Sequence, residues 1–324
     1  MRAIVFDQPG DPDVLRLDVV PDPHPSADEI LVRVHATAVN RADLLQRRGA
    51  YPPPRGASPI LGLELAGEVL EPAGPWQPGD RVMAVVTGGG YAELATLPAG
   101  MAMPIPAPLS FEEAAAIPEA FVTAFLNLFT LGRLQAGESV LVHAGASGVG
   151  TAAIQLARAA GARVFATAGS RAKLDLCREL GAELAIDYHE EDFREHVIAA
   201  THERGVDVIL DFVGAPYWES NLASLAIGGR LMLIGFLGGS AGQFDLGPIL
   251  ARSLTVTGTT LRRTPLDRKI ALTRAFSEFA LPRFERGELR PVIDAVYPLD
   301  QAAQAHRVLE ANRNAGKVVL RVTP

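Results

Sequence analysis

A glycine-rich turn between two predicted elements of secondary structure is the part of this sequence best suited to chemistry. Residues 140–143 form a short apolar run that predicts a strand, and residues 144–150 are almost all small. Apolar residues then recur at helical spacing up to Gly161, where a helix would end. Small residues let the backbone approach a pyrophosphate, and a helix N-terminus offers unpaired N–H groups and a positive dipole end. The unit therefore predicts a dinucleotide site.

The end of the next predicted strand, residues 162–168, indicates which dinucleotide is bound. Ser147 stands where the G-x-G-x-x-G pattern has its middle glycine, so the turn alone also fits an ordinary glycine-rich βα connection. An NAD site would place an acidic residue at the strand end to bind the ribose 2′-hydroxyl, whereas this chain reads Gly169-Ser170-Arg171-Ala172-Lys173. A hydroxyl and two cations suit a 2′-phosphate. The sequence therefore predicts NADP(H) rather than NAD(H).

Length and charge limit the remaining classes of protein. The 324 residues are enough for two domains with a large core. A net charge of -7 argues against nucleic acid or an anionic membrane as the main partner, because both require a basic surface. The single cysteine excludes an internal disulfide and a cysteine-rich zinc site. With no leader peptide and no apolar run near the ~20 residues that span a bilayer, we expect a cytoplasmic protein.

The chain is expected to be an α/β protein with two regions that differ in their pattern of predicted strands and helices. Residues 1–122 contain short strand-like runs between Pro, Gly and Asp turns, followed by a helix that Ser110 and Glu113 would cap. Residues 123–259 alternate between strands and helices and predict a doubly wound parallel sheet. Its six strands are predicted at residues 139–143, 163–168, 184–186, 206–210, 229–234 and 254–259, with a helix at 218–226 before the fifth. Residues 260–324 add a long helix and a final strand, so the chain is expected to return to the first domain.

Several motifs carry a family resemblance. Residues 40–52 read NRADLLQRRGAYP and residues 60–67 read ILGLELAG. With HAGASGVG at 143–150, DY at 187–188, DFVG at 211–214 and NAGK at 314–317, the whole chain resembles the zinc-free quinone oxidoreductases of the medium-chain dehydrogenase/reductase superfamily. The run GASGVGTAAIQL is most similar to the branch induced by a tumour suppressor. The resemblance implies a GroES-like β-rich catalytic domain, a six-stranded Rossmann domain, NADPH in the cleft between them, and homodimers that join their sheets at the edge.

The resemblance also bears on metal binding. Zinc members of the superfamily have Cys where this chain has Asn40 and His where it has Leu63. An amide and an isobutyl group cannot replace a thiolate and an imidazole on Zn²⁺. The seven histidines show no ligand spacing such as H-E-x-x-H. We therefore expect no catalytic metal.

The matching positions imply a set of cofactor-binding residues, each of which also has a purely structural interpretation. Tyr188 could be a strand-end aromatic, Thr123 a helix-surface residue and Asn40 a turn former. In the functional interpretation, the set binds the pyrophosphate with Gly148 and Val149, the 2′-phosphate with Gly169, Ser170 and Lys173, the adenosine end with Tyr188, and the nicotinamide half with Asn40, Thr123, Val213, Phe236, Gly238 and Asn314.

Tyr51 and Asn40 are the candidate catalytic residues. A quinone accepts hydride readily, so the protein would need mainly to position it and to offer a polar contact to its oxygen. Tyr51 is the best candidate for that contact, because the resemblance extends to zinc-free enoyl thioester reductases in which a tyrosine at the matching place donates a proton. It could also be only a loop aromatic beside Pro52. Asp43 and Arg47, four residues apart on one predicted helix, are expected to form an ion pair.

Three functions follow. The first is an NADPH:quinone oxidoreductase. The second is an NADPH-dependent reductase of activated C=C bonds in enones or enoyl thioesters, with Tyr51 as the acid. The third is an NADPH-binding sensor or RNA-binding protein with little catalysis, which the acidic charge disfavours. The expected partner is accordingly a small molecule, a quinone or an activated alkene, with no nucleic acid and no membrane.

Overall fold

The computed structural model describes residues 1–322 and divides the chain into two compact units. The first unit contains Met1–Val122 together with the chain from Arg262 onward. The second unit contains Thr123–Leu261.

The amino-terminal part of the first unit consists of short strands and short helices. Ser110 Oγ accepts a hydrogen bond from the Glu113 N–H at 3.2 Å, and the Glu113 carboxylate accepts one from the Ser110 N–H at 2.8 Å. This is the capping box that the sequence predicts, and it starts the second helix. The strands are β1 (Arg2–Val5), β2 (Arg16–Val19), β3 (Glu29–Val39), β4 (Glu64–Glu71), β5 (Arg81–Val85), β6 (Leu94–Pro98) and β7 (Ala102–Pro104). The helices are α1 (Arg41–Arg47), α2 (Phe111–Ala115) and α3 (Pro118–Phe125), of which α3 begins in this unit and ends beyond Val122.

The second unit is built on one parallel sheet. Its strands are β8 (Ser139–Val142), β9 (Arg163–Ala168), β10 (Leu184–Asp187), β11 (Val206–Asp211), β12 (Leu225–Leu233) and β13 (Thr255–Gly258), in the order β10-β9-β8-β11-β12-β13. Its helices are α4 (Gly148–Ala159), α5 (Arg171–Leu180), α6 (Phe193–Ala200), α7 (Trp218–Ser224) and α8 (Gly247–Ala251). Leu141, Phe165, Ile209 and Leu231 are fully buried, as expected for central strands that are covered on both faces. The predicted six-stranded Rossmann sheet is confirmed.

The fifth strand of this sheet differs from its prediction. The helix predicted at residues 218–226 ends at Ser224, and Leu225 already pairs with Val206 of β11. A register shift follows before Arg230 pairs with Val208. Gly228, with φ +74°, lies inside this strand. The prediction took the glycines as the start of the strand, whereas they are an irregularity within it.

The carboxyl-terminal part completes the sheet of the first unit. It contributes α9 (Leu266–Glu285), β14 (Ile293–Pro298), α10 (Ala302–Glu310) and β15 (Lys317–Arg321). β15 pairs antiparallel with β3, so that Val318 lies opposite Val39, and the sheet order is β14-β15-β3-β4-β5-β7 with β6 also on β3. This β-rich unit is the predicted GroES-like domain. No helix within residues 1–322 combines the length and the hydropathy needed to cross a membrane.

The expected ion pair between Asp43 and Arg47 is wrong. Asp43 turns back to the start of α1, where its carboxylate accepts hydrogen bonds from the backbone N–H groups of Asn40 at 2.8 Å and Gly62 at 3.0 Å. Arg47 is fully buried and instead donates to the Glu310 carboxylate and to the Gly10 carbonyl at 3.0 Å. The helix is short and its start lies against other chain segments, so tertiary partners outcompete the pairing along the helix.

A chain of buried hydrogen bonds joins these two residues indirectly. Arg47 Nη1 lies 3.1 Å from His306 Nδ1, and His306 Nε2 lies 3.1 Å from Tyr91 Oη. Because the guanidinium only donates, His306 accepts at Nδ1 and its proton sits on Nε2. Tyr91 Oη then donates to Asp43 at 3.4 Å. Burial lowers the pKa of His306 to about 3, and the Arg47 charge contributes less in the same direction. The ring is therefore neutral at physiological pH.

We predict that Arg47→Leu destabilises the protein far more than Arg48→Leu does. Arg47 is fully buried and its loss leaves Glu310 and the His306 ring without their buried partner, which we expect to cost about 3–5 kcal/mol of the free energy of unfolding. Arg48 binds the same carboxylate at 2.7 Å, but its side chain is half exposed, so its loss should cost less than about 1 kcal/mol. Urea unfolding of both variants measures the difference. Equal losses would contradict this account of the buried pair.

Candidate functional site

The glycine-rich turn of the second unit connects β8 to α4. Ser147 is the N-cap of α4, and its Oγ accepts a hydrogen bond from the Gly150 N–H at 3.0 Å. The serine that departs from the G-x-G-x-x-G pattern therefore closes the turn. A Cβ at Gly150 would lie 2.3 Å from the Ala144 carbonyl oxygen, and one at Gly145 would lie 2.8 Å from the Ala166 Cβ. Both positions require glycine because helix and strand approach closely there.

The first turn of α4 leaves two donors for a ligand. Gly148 and Val149 are the first residues of the helix, so their N–H groups have no partner within it, and none elsewhere in residues 1–322 accepts from them. Both residues are partly exposed. Two adjacent N–H groups at the positive end of a twelve-residue helix fit an anionic pyrophosphate.

The end of β9 presents the residues predicted to bind a 2′-phosphate. A Cβ at Gly169 would lie 2.5 Å from Tyr188 Oη, so the phenol lies directly against the glycine. Ser170 is exposed and starts α5 without capping it, and Lys173 follows within the first turn. The Tyr188 side chain is 43% exposed and stacks obliquely on His189 at 4.3 Å. The structure thus places Gly169 against Tyr188, with Ser170 and Lys173 at the adjoining start of α5.

A second pair of loops holds the residues predicted to bind the nicotinamide half. The Gly238 N–H donates to the Val213 carbonyl at 2.9 Å, and the Ala215 N–H donates to the Gly239 carbonyl at 2.9 Å. Gly214, with φ +90°, allows the two loops to approach this closely, because a Cβ there would lie 2.5 Å from the Gly239 oxygen. Phe236 is left 54% exposed beside them. Val213, Phe236 and Gly238 therefore form one small surface.

A buried polar chain below these loops was missed by the sequence analysis. His143 Nε2 lies 2.7 Å from Asn221 Oδ1, Asn221 Nδ2 donates to Asp211 at 3.2 Å, and His143 Nδ1 lies 3.0 Å from Thr167 Oγ1. Since the Asn221 amide nitrogen donates to Asp211, its oxygen accepts from His143, which fixes the ring proton on Nε2. Asp211 in turn accepts from the Val213 N–H at 2.7 Å, so the chain holds the loop that carries Val213.

Burial shifts both titrating groups of this chain. It lowers the pKa of His143 to about 4, so the imidazole stays neutral. It raises the pKa of Asp211 to about 6, while the N–H groups of Val213 and Gly214 act in the opposite direction. At neutral pH the imidazole is therefore uncharged, while Asp211 is a carboxylate held by the Val213 and Gly214 N–H groups and by the Asn221 amide.

In the first unit, Asn40 belongs to a cluster with two oppositely charged side chains. Lys317 Nζ lies 2.6 Å from Asn40 Oδ1 and 2.7 Å from Glu64 Oε1, and Asn40 Nδ2 donates to the same Glu64 oxygen at 2.8 Å. Lys317 is 5% and Glu64 0% exposed, and the Glu64 Oε2 atom accepts from the Glu119 N–H at 2.8 Å. The cluster ties β3, β4, α3 and β15 together and fixes the Asn40 amide.

Tyr51 lies beside a buried cation. The Arg262 guanidinium carbon is 5.3 Å from the centroid of the Tyr51 ring, and both residues belong to the first unit. Burial raises the pKa of Tyr51, which Arg262 opposes. Half-buried Glu119 is also near, and burial together with the Glu64 charge raises its pKa to about 8. A phenol, a guanidinium and a carboxyl group that is protonated at neutral pH form a set that can hold and move a proton.

The other two predicted cofactor residues make contacts that are structural. Asn314 is buried, and its Nδ2 donates to the Gly316 carbonyl at 2.7 Å, which holds the turn before β15. Thr123 is 8% exposed, and its carbonyl accepts from Asn127 Nδ2 at 2.9 Å. Their role toward a cofactor stays a prediction.

Sequence signals existed for some of the residues that the analysis missed. Glu64 is a lone carboxylate in the apolar run ILGLELAG, and Lys317 begins an apolar strand, so each was a candidate buried charge that needs a partner. Arg262 has no comparable signal, because an arginine between a strand and a helix is ordinary.

Two family profiles match the chain. Residues 26–107 match the GroES-like domain of alcohol dehydrogenases, and residues 148–278 match the domain described as zinc-binding dehydrogenase. This pair of domains is that of a medium-chain dehydrogenase/reductase.

Individual relatives refine the class. The quinone oxidoreductase of Rattus norvegicus is 33% identical over 330 residues, which cover 99% of this chain and 97% of that protein. The Escherichia coli quinone oxidoreductase, solved as a complex with NADPH, is 30% identical with a TM-score of 0.89 over 99% of this chain and 100% of that one. A solved NAD-dependent alcohol dehydrogenase is 35% identical, also with a TM-score of 0.89, over 100% of both chains. The chain belongs to the quinone oxidoreductase family of the medium-chain dehydrogenase/reductase superfamily.

The name of the second profile raises the question of zinc. At the two positions where zinc relatives have Cys and His, this chain has Asn40, held between Lys317 and Glu64, and Leu63, which is buried. An ammonium group 2.6 Å from the Asn40 oxygen disfavours a dication at that place. Residues 1–322 contain no group of three or more His, Cys, Asp or Glu side chains that could hold a metal ion. The residues at these positions do not fit zinc.

We predict that His143 makes the stability of the protein depend on pH. Its pKa is about 4 in the folded protein and near 6.5 when unfolded, so the unfolded chain binds more protons between these values. The contribution of His143 to the free energy of unfolding is therefore fully present above pH ~6.5. It falls toward pH ~4 by up to about 1.4 kcal/mol per pH unit. In His143→Gln, the free energy of unfolding should depend less steeply on pH in this window, as measured by urea unfolding. An unchanged slope would contradict the neutral, buried histidine.

Proposed function

We propose that this protein is an NADPH-dependent quinone oxidoreductase that transfers hydride without a metal. The observation that carries the cofactor assignment is the surface at the end of β9, where Ser170 and Lys173 stand with Gly169 and Tyr188 and the strand ends without an acidic residue. The similarity to quinone oxidoreductases, one of them solved with NADPH, supports the same assignment. The quinone is proposed on the similarity to these enzymes and on the phenol in the first unit.

The chain offers a partner for each part of the cofactor. The free N–H groups of Gly148 and Val149 bind the pyrophosphate, and Ser170 and Lys173 bind the 2′-phosphate. Tyr188 packs against the adenosine end, while Val213, Phe236 and Gly238 hold the nicotinamide half with Asn40, Thr123 and Asn314. When bound, NADPH supplies a hydride.

Tyr51 is the proposed polar contact for the substrate. Its hydroxyl donates a hydrogen bond to the quinone oxygen and gives it a proton as negative charge develops there. The Asn40 amide, which Lys317 and Glu64 hold in one orientation, fixes the edge of the reacting ring. Quinones need little further activation, because reduction makes the ring aromatic.

Reduction of an activated C=C bond is the second candidate function, and the contact between Tyr51 and Arg262 favours it. A buried cation beside the phenol favours proton release, which a quinone hardly needs but an enolate carbon does. The two functions therefore differ in how strongly they depend on Tyr51.

We predict that Lys173→Ala weakens NADPH binding selectively. Loss of a charge-assisted hydrogen bond to the 2′-phosphate should raise the dissociation constant for NADPH about 10- to 100-fold, while that for NADH changes less than about 2-fold. Quenching of protein fluorescence measures both constants. Arg178→Ala is the matched control, since Arg178 is an exposed cation later on the same helix and pairs with Asp175 at 2.9 Å. Equal weakening for both nucleotides would contradict the assignment of the 2′-phosphate site.

We predict that the purified protein oxidises NADPH with 1,4-benzoquinone or 9,10-phenanthrenequinone faster than with an enone or a crotonyl thioester. Tyr51→Phe should lower quinone turnover by no more than about 10-fold, because the quinone depends mainly on positioning. Turnover is followed by the loss of NADPH absorbance. Faster turnover of the alkenes, with a loss of about 100-fold or more in Tyr51→Phe, would instead establish the C=C reductase. Tight NADPH binding with no turnover of any substrate would leave only the sensor or RNA-binding function.

A further inference from the structure

Arg262 is a buried cation without an acidic partner. Arg262 is 6% exposed, and its Nε and Nη2 atoms both donate to the Thr87 carbonyl, at 2.9 and 2.6 Å. Nη1 reaches the Tyr51 carbonyl oxygen at 3.5 Å, the limit of a hydrogen bond. Among residues 1–322, no carboxylate lies within ion-pair distance of this guanidinium. Three of its five N–H donors are thus accounted for by backbone carbonyls.

Burying the Arg262 guanidinium without a counter-ion destabilises the folded protein. A buried charge without a counter-ion loses its hydration, and the same burial lowers the pKa of Arg262. Arginine stays protonated nevertheless, because its ordinary pKa is above 12. A neutral side chain could bind the Thr87 carbonyl at lower cost, so the hydrogen bonds alone do not account for a cation at this place.

The guanidinium faces the Tyr51 ring. Its carbon lies 5.3 Å from the ring centroid, within the range of a cation–π contact. Two other titrating groups act on the phenol. Glu119 disfavours loss of the phenol proton only where it is itself ionised, and Arg263 favours that loss more weakly than Arg262 does. Around the guanidinium itself lie Asp43 and Glu119, and Lys269 is also in reach. Arg262 is the strongest group that favours the ionised phenol.

We propose that Arg262 is a positioning residue for Tyr51: its buried guanidinium holds the phenol ring and supplies the positive charge against which the hydroxyl releases its proton to the reduced substrate. The proposal rests on the proposed function, in which Tyr51 is the acid, and identifies the residue that assists Tyr51. Lys173 and the other cofactor residues have no part in it.

The proposed step transfers one hydride and one proton to the substrate. The substrate gains an electron pair with the hydride that NADPH supplies as co-reactant. The O–H bond of Tyr51 breaks, and its proton forms an O–H bond on the quinone oxygen, or a C–H bond if the substrate is an alkene. Tyr51 is then a phenolate beside the Arg262 cation and regains a proton from water. The sum is one NADPH, one proton and one quinone converted to NADP⁺ and one hydroquinone.

The first test measures Tyr51 in the protein without ligands. The tyrosines are replaced by 3-fluorotyrosine, which is more acidic and titrates before the protein unfolds in alkali, and ¹⁹F NMR follows each ring; Tyr51→Phe assigns the signal. We expect Arg262→Gln to raise the titration midpoint of Tyr51 by about one pH unit, a tenfold change in proton affinity. Arg262→Lys, which keeps the charge, should stay within about a third of a unit of the unsubstituted protein.

Arg263→Gln is the matched control, because Arg263 is the next residue and is an exposed cation. In Arg263→Gln, the titration midpoint of Tyr51 should change by less than about a third of a pH unit. A midpoint that does not rise in Arg262→Gln, or that rises as much in Arg263→Gln, would overturn the proposal. If Arg262→Gln does not fold, Arg262→Lys decides alone: a rise of a full unit with the charge kept would overturn it.

The second test is kinetic. Arg262→Gln should lower kcat about 10-fold with the KM for NADPH unchanged within about 2-fold, and Arg262→Lys should restore most of the loss. In a Tyr51→Phe background, Arg262→Gln should have less than about a 2-fold further effect, because there is no hydroxyl left to assist. An equal loss in both backgrounds, or a raised KM for NADPH with kcat unchanged, would overturn it. The fluorotyrosine titration needs no turnover, so it remains decisive even if the proposed reaction fails.

Discussion

The buried ion pair between Glu64 and Lys317 is the interaction on which the first unit depends. The two charges lie 2.7 Å apart with almost no exposure, so neither could be removed without leaving the other unpaired. Their remaining hydrogen-bonding capacity is used for the Asn40 amide and for the Glu119 N–H at the start of α3. One ion pair thus orients the Asn40 amide, which is proposed to face the reacting ring, and also anchors the first turn of α3.

The second unit fixes a loop with a buried hydrogen-bond network around one carboxylate and an uncharged histidine, instead of an ion pair. His143, Asn221 and Asp211 lie where parallel strands end, and they fix a loop through the N–H groups of Val213 and Gly214. Here specificity comes from the number of fixed hydrogen bonds, since burial keeps the imidazole uncharged. Both units therefore place rigid polar groups below the surfaces proposed to bind ligands, while those surfaces themselves stay partly exposed.

Local patterns in the sequence were sufficient for the architecture but not for the polar interior. The strand before the glycine turn, the capping box at Ser110 and the six parallel strands each follow from residues close together in the chain. The Asp43–Arg47 pair failed because partners 19 to 263 residues away compete for both groups. Asn40, Lys317 and Glu64 are likewise separated by strands whose pairing no local pattern reveals. The roles predicted for Tyr51, Lys173 and the other site residues follow from resemblance and remain predictions.

The position of Lys317 in the chain also has a consequence for the order of assembly. Asn40 and Lys317 are separated by 277 residues, and all of the second unit lies between them. At about 5–20 residues per second, a ribosome needs roughly 15 to 55 s to produce Lys317 after Asn40 has been made. Throughout that time β3 lacks β15, and Glu64 lacks its counter-charge. The nascent first unit must wait with an incomplete sheet while the second unit, which is contiguous in sequence, is already free to fold.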